Sequence, residues 1–204
     1  MIPFNKNLII FGLFIVFSCK DNTTLPYLGQ TVTLDGVTQN HTIPDWKMFN
    51  QDSIEVTNKS LAPYVYVADF FFTSCPSICP RVAKEMLKIH DEFKDDPNVK
   101  IVSFTLDPKR DTPSKLKLYG DNLGIDHDKW WMLSGNKDTT LTLASSYFVA
   151  AFEDDSVPGG FDHSGKIILV DQQGHIRSFS EGTDPSETPR LIKDIKKLLT
   201  QEGK

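Results

Sequence analysis

Two hydrophobic periods alternate through the middle of the chain. Residues 64–72 (YVYVADFFF) are almost continuously apolar and rich in β-branched and aromatic side chains, the composition of a strand covered on both faces. After a turn containing two prolines, Val82, Met86, Ile89 and Phe93 recur at spacings of four, three and four, one apolar stripe of a helix with Pro80 in its first turn. Residues 99–106 repeat the strand pattern, and a helix follows over about 114–123. Strand, helix, strand, helix in that order predicts a parallel β-α-β core with a right-handed crossover. Residues 130–133 add a short strand. Residues 138–148 add a helix, weakened by Thr139, Thr140 and Thr142. Strands at 166–170 and 175–179 flank Asp171-Gln172-Gln173-Gly174 as a hairpin, and 31–34 and 54–57 read as short strands with a turn at 50–53. The last helix carries Leu191, Ile192, Ile195, Leu198 and Leu199 on one face and Lys193, Lys196 and Lys197 on the other.

These elements predict an α/β chain with a thioredoxin-like fold: a central mixed β-sheet flanked by helices, with an N-terminal β extension and a β-hairpin. The N-terminus is organised differently. Lys6 precedes an apolar run over residues 8–17, which ends at Ser18-Cys19. That run is too short for a permanent membrane span and reads as an export signal, and the cysteine behind a small residue resembles the processing site of a bacterial lipoprotein. Residues 1–18 are then the signal, 19–28 a tether lipidated at Cys19, and 29–204 the domain. The expected location is the periplasmic side of the cell envelope, attached to the membrane; an uncleaved anchor gives the same side. With Lys+Arg 22 against Asp+Glu 27, the net charge of -5 argues against nucleic acid as a partner, and the lysines of the last helix read as a solvated face. Three cysteines are too few for a disulfide-stapled scaffold, whereas 39% apolar residues support one core.

The chemistry gathers in the first strand-to-helix turn, Phe70-Phe71-Phe72-Thr73-Ser74-Cys75-Pro76-Ser77-Ile78-Cys79-Pro80. Functional groups collect at the C-terminal ends of such strands. If the turn is helical, Cys75 and Cys79 share a face with Cα atoms about 6 Å apart, within disulfide range. N–H groups at the helix start should depress at least one thiol pKa. The pair permits redox exchange or metal binding. A purely structural disulfide would close too small a loop to stabilise much, and a zinc site would need four protein ligands.

A third donor must come from elsewhere. His163, in Gly159-Gly160-Phe161-Asp162-His163-Ser164-Gly165, precedes the strand at 166, which in this fold runs beside the first strand-helix turn. Asp162 is placed either to orient the imidazole or to face a partner. Two thiolates and one imidazole suit Cu(I), and an added oxygen ligand accommodates Cu(II). His41, His90, His127 and His175 read as ordinary exposed histidines, and Met86 as core. A thiol-disulfide oxidoreductase, with one cysteine attacking and the other resolving, is the rival reading; a copper or redox sensor would retain the same ligands.

The segments Thr73-Ser74-Cys75-Pro76-Ser77-Ile78-Cys79-Pro80, Asp107-Pro108-Lys109-Arg110-Asp111-Thr112-Pro113 and Asp162-His163-Ser164, in this order, resemble the SCO/SenC family of copper-binding assembly proteins over about residues 28–179. The resemblance implies copper bound through Cys75, Cys79 and His163, anchorage outside the cytoplasm, and a role in delivering copper to the CuA centre of cytochrome c oxidase or keeping its thiols reduced. The CuA-bearing subunit is then the expected partner. The resemblance also makes Asp107 and Asp111 near-site or loop-stabilising residues, with turn and helix-start capping as the alternative. Many family members carry a tyrosine where this chain has Gly160, and residues 153–160 are expected to form a mobile flap.

Overall fold

The computed structural model describes residues 24–203. The expected signal, Cys19 and the start of the tether lie outside the described residues. In chain order the elements are β1 (Val32–Leu34), β2 (Val37–Gln39), β3 (Lys47–Phe49), β4 (Glu55–Thr57), β5 (Val65–Phe71), α1 (Cys79–Phe93), β6 (Val99–Thr105), α2 (Pro113–Leu123), β7 (Trp130–Leu133), α3 (Lys137–Ser146), β8 (Ala151–Glu153), β9 (Phe161–His163), β10 (Lys166–Val170), β11 (Ile176–Glu181) and α4 (Thr188–Gln201).

Strand β5 is the middle of a five-stranded sheet ordered β11-β10-β5-β6-β7, and all seven of its residues are buried. β5, β6 and β7 run parallel, while β10 is antiparallel to both β5 and β11. Phe71 meets Tyr119 of α2, and Phe70 meets Tyr147 just beyond α3. Successive strand residues point to opposite faces, so both faces of the sheet are covered. This is the thioredoxin-like α/β arrangement expected, with a mixed sheet and extra strands. Among the described residues no helix is long and apolar enough to cross a membrane.

Local signals explain the helix bounds. Thr112 caps α2 by accepting the Lys115 N–H, Pro113 opens it, and Gly124 closes it at φ 72°. The stripe on α1 is buried as its spacing requires, and each of Val82, Met86, Ile89 and Phe93 contributes roughly 2 kcal/mol of apolar burial before entropy is counted. Helix α3 stops at Ser146 rather than 148, because Tyr147 turns into the core and Phe148 adopts φ 57°.

Three features differ from expectation. The segment read as a tether up to residue 28 is docked at its end: Leu25 is buried, Leu28 N–H donates to Ile176 O (2.8 Å), and Arg177 donates to the carbonyls of Leu25 (2.6 Å) and Pro26 (3.1 Å). Arg177 is itself buried and paired with Asp171 at 2.9 Å. The supposed flap over 153–160 is the return of a β8–β9 hairpin, tied by Asp154 N–H to Gly160 O (3.1 Å) and Gly160 N–H to Val157 O (3.1 Å). His90 is buried rather than exposed, and its Nε2 accepts the Asp126 N–H at 3.1 Å.

Candidate metal centre

The cysteine turn leaves β5 and enters α1 along a path that is not helical. Helix α1 begins at Cys79, and residues 75–78 form a turn in front of it. The four-residue spacing therefore does not act through a helical face. Cys75 instead sits ahead of the open helix start, where the Cys79 N–H, a donor that the helix terminus leaves unpaired, and the Ser77 N–H of the preceding turn favour its thiolate. Both sulfurs are free thiols.

The two thiols are consequently unequal. Burial pushes the Cys75 thiol up, but hydrogen bonds from the Cys79 thiol, from the Cys79 and Ser77 N–H groups and from the Ser77 hydroxyl (3.6 Å) outweigh it and hold its pKa below the ordinary value. The expected depression falls on Cys75, but its largest cause is the Cys79 thiol, with the helix-start N–H of Cys79 second. Burial drives the Cys79 thiol far above its ordinary range, reinforced by the proton it offers to Cys75 and by the nearby Asp69 carboxyl.

His163 ends β9 rather than lying in a loop. The β8–β9 hairpin pairs Ala151 with His163, Phe152 with Asp162 and Glu153 with Phe161. Alternation along β9 sends Phe161 and His163 inward and leaves Asp162 exposed. The His163 Nδ1–H donates to Ser164 O at 3.3 Å, which turns the Nε2 lone pair toward Cys79 Sγ, 3.4 Å away. Burial lowers the imidazole pKa, so the ring is neutral at pH 7. The sulfurs and a ligand nitrogen of His163 lie within 4.8 Å of one another, and the three residues are 8%, 3% and 7% exposed. Phe72 packs against both Phe161 (5.5 Å) and the His163 ring (5.9 Å).

Two soft sulfurs and a neutral imidazole nitrogen converging in a pocket screened from water fit a thiophilic ion such as Cu(I). Among the described residues no other group of three or more His, Cys, Asp or Glu side chains is disposed to hold a metal.

The carboxylates expected near the site divide in role. Asp162 does not orient the imidazole, because Ser164 O holds Nδ1 and Asp162 faces outward. Asp111 is fully buried and does not cap α2, a task that belongs to Thr112. Its carboxylate accepts the Thr73 N–H (2.9 Å), the Thr73 hydroxyl (2.5 Å) and the Thr105 hydroxyl (2.6 Å), pinning the start of the cysteine turn to the end of β6. Asp107 shapes its own turn, accepting the Arg110 N–H at 3.3 Å, and pairs with the Arg110 side chain. Sequence reasoning passed over Thr73, Phe72 and Arg110, although each lies in or beside a quoted motif. It also passed over Asp69, a lone charge in an apolar strand, now buried and bonded to Ser103.

A family model described as SCO1/SenC matches residues 35–200. A SCO1/SenC family lipoprotein from Bacillus anthracis str. Ames superposes with a TM-score of 0.71 at 25% identity, over 84% of this chain and 98% of that one. BsSco, described as a member of the Sco family of cytochrome c oxidase assembly proteins with a disulfide switch, gives 0.70 at 27% identity over 79% and 95%. Copper-bound ScoI of Arabidopsis thaliana gives 0.63 at 25% identity over 75% and 97%. With the match running through every strand of the central sheet and across the cysteine turn and the histidine hairpin alike, this chain belongs to the SCO1/SenC family.

Proposed function

We propose that this protein is a copper chaperone that holds Cu(I), or Cu(II) with an added oxygen ligand, between Cys75, Cys79 and His163, and that it supports assembly of the CuA centre of cytochrome c oxidase. The observation that carries the proposal is the convergence of two thiols and a neutral imidazole within 4.8 Å. Three soft donors bind copper tightly and leave coordination positions through which an acceptor's thiolates can enter, so the ion can be passed on as cargo. The copper-bound Arabidopsis relative and the assembly role named for BsSco support the metal and the destination. We further propose that the chain acts on the periplasmic side of the membrane, attached by lipid on Cys19, with the CuA-bearing subunit as acceptor. The lipoprotein from Bacillus anthracis supports that placement.

Anaerobic Cu(I) titration of the reduced full chain is the test. One tight copper per chain is expected, abolished by Cys75→Ser or Cys79→Ser and weakened strongly by His163→Ala. Tight binding that survives all three substitutions would overturn the site.

The inequality of the two thiols favours a second activity of the same pair. The Cys75 thiolate would attack an acceptor disulfide, and Cys79 would then resolve the mixed disulfide. Two electrons pass to the acceptor and a Cys75–Cys79 disulfide remains, which removes both sulfur ligands. Robust disulfide exchange by metal-free His163→Ala protein, with no copper uptake by the wild type, would shift the assignment from chaperone to oxidoreductase.

A further inference from the structure

Both halves of the metal centre are held by one short loop, residues 107–112 between β6 and α2. On one side Asp111 fixes Thr73, two residues before Cys75. On the other, Arg110 reaches the histidine hairpin. Its Nε donates to the Asp107 carboxylate and its Nη2 donates to Gly159 O, in the return of the β8–β9 hairpin four residues before His163. A guanidinium serves this arrangement well, since its planar fork donates in two directions from a fixed frame, and the buried Asp107 carboxylate sets the orientation of that frame.

The hairpin needs such a tie. β8 and β9 pair over three positions only and form a two-stranded sheet of their own, separate from the five-stranded sheet. Isolated two-stranded hairpins are marginal in water. At its β9 end it is held by the Ser164 N–H to Ala150 O bond (2.9 Å), by His163 against Cys79 and by the short run into β10; toward the return it is held by the packing of Phe161 and Gly159 on Phe72, the Lys137–Glu153 ion pair (2.6 Å) and Arg110. The Lys137–Glu153 pair is about half exposed on both sides and joins two surface side chains, so it constrains little. The Arg110 side chain is about as exposed, at 48%, but it donates to a main-chain carbonyl, that of Gly159, and is oriented by the buried Asp107 carboxylate.

We infer that Arg110 is a positioning residue: it latches the His163 hairpin over the cysteine turn and thereby sets how fast bound copper is released. The inference rests on the copper reading above. It goes beyond it in assigning control of the imidazole's placement to a residue that touches neither metal nor sulfur.

The test uses the full chain and two readouts. The first is metal-free: amide hydrogen exchange at residues 151–153 and 161–163 should accelerate in Arg110→Ala, with β5 amides unchanged. The second is Cu(I) loss from the loaded chain to excess bathocuproine disulfonate. Arg110→Ala should lose copper about tenfold faster, the scale on which outer partners of metal ligands act. Arg110→Lys, which keeps the charge but lacks the fork, should fall between, and Lys137→Ala should leave the rate near wild type. In a His163→Ala background the same Arg110→Ala change should alter the rate less than about twofold, because the group it positions is gone. Unchanged hairpin exchange in Arg110→Ala would overturn the latch, and so would an effect on copper loss that simply adds to that of His163→Ala. If Arg110→Ala does not fold, Arg110→Lys carries both readouts under the same criteria. If the wild type takes up no copper, the chaperone reading fails, and hydrogen exchange alone decides the latch.

Discussion

Replacing Asp69 by asparagine should stabilise the protein at neutral pH and do little for it at pH 4. Asp69 is 4% exposed in the middle of β5, opposite Ser103 in the parallel register. The Ser103 hydroxyl donates to it, and Trp130 Nε1 donates to Ser103 Oγ at 2.8 Å. Burial pushes its carboxyl from 3.8 to about 7, with the Ser103 hydroxyl and the Asp69 N–H pulling the other way. Between those two values the folded state carries a proton that the unfolded state has lost, so stability falls as pH rises through the window and levels off above about 7. The shift corresponds to on the order of 4 kcal/mol. Asparagine keeps the shape and the acceptor oxygen but has no charge to desolvate. Urea unfolding of both proteins from pH 4 to pH 8 should therefore give curves that nearly meet at pH 4 and separate by a few kcal/mol at pH 8, the variant above. A separation that is the same at both ends would refute the reasoning.

Asp111→Ala should cost on the order of 3 kcal/mol or more, because it strands the Thr73 N–H and two hydroxyl donors around a buried cavity; wild-type stability in a urea melt would contradict the pinning role. Gly159→Ala and Gly160→Ala form a matched pair. Both residues have positive φ (96° and 83°), but a Cβ at Gly159 would stand 2.4 Å from the Phe72 ring, whereas one at Gly160 would meet nothing within 4 Å. Each should lose about 1 kcal/mol to backbone strain, with a further 1–3 kcal/mol for overpacking at Gly159 alone. Equal losses in thermal melts would remove the packing argument.

The long elements were legible because their hydrophobic periods are long enough to count. β5, β6, α1 and α4 each present seven or more residues of one pattern. The β8–β9 hairpin was not legible for the opposite reason: three residues a strand give no period, and the glycines at its return read equally well as a loop. The cysteines could be found by their spacing, but not their relation, since the spacing suggests a shared helical face and the chain instead delays α1 until Cys79. His90 looked exposed beside Asp91; its ring turns inward to the Asp126 N–H, a partner 36 residues away. Arg110 resembled any charge in a turn, because what it binds is a carbonyl, and carbonyls leave no trace in a sequence. The same holds for residues 25–28, docked through backbone oxygens on Arg177.

That docking fixes a direction. Ile176 is level with Val170, and Val170 with Tyr66, so the leading segment joins the body at the starting end of β5, while the sulfurs lie past its finish, about 23 Å along seven strand residues. If attachment is at Cys19, as proposed, the chain between it and Leu25 can span at most about 20 Å. The proposed lipid would then lie nearest the end of the domain opposite the sulfurs, leaving the donors on the side away from the attachment point.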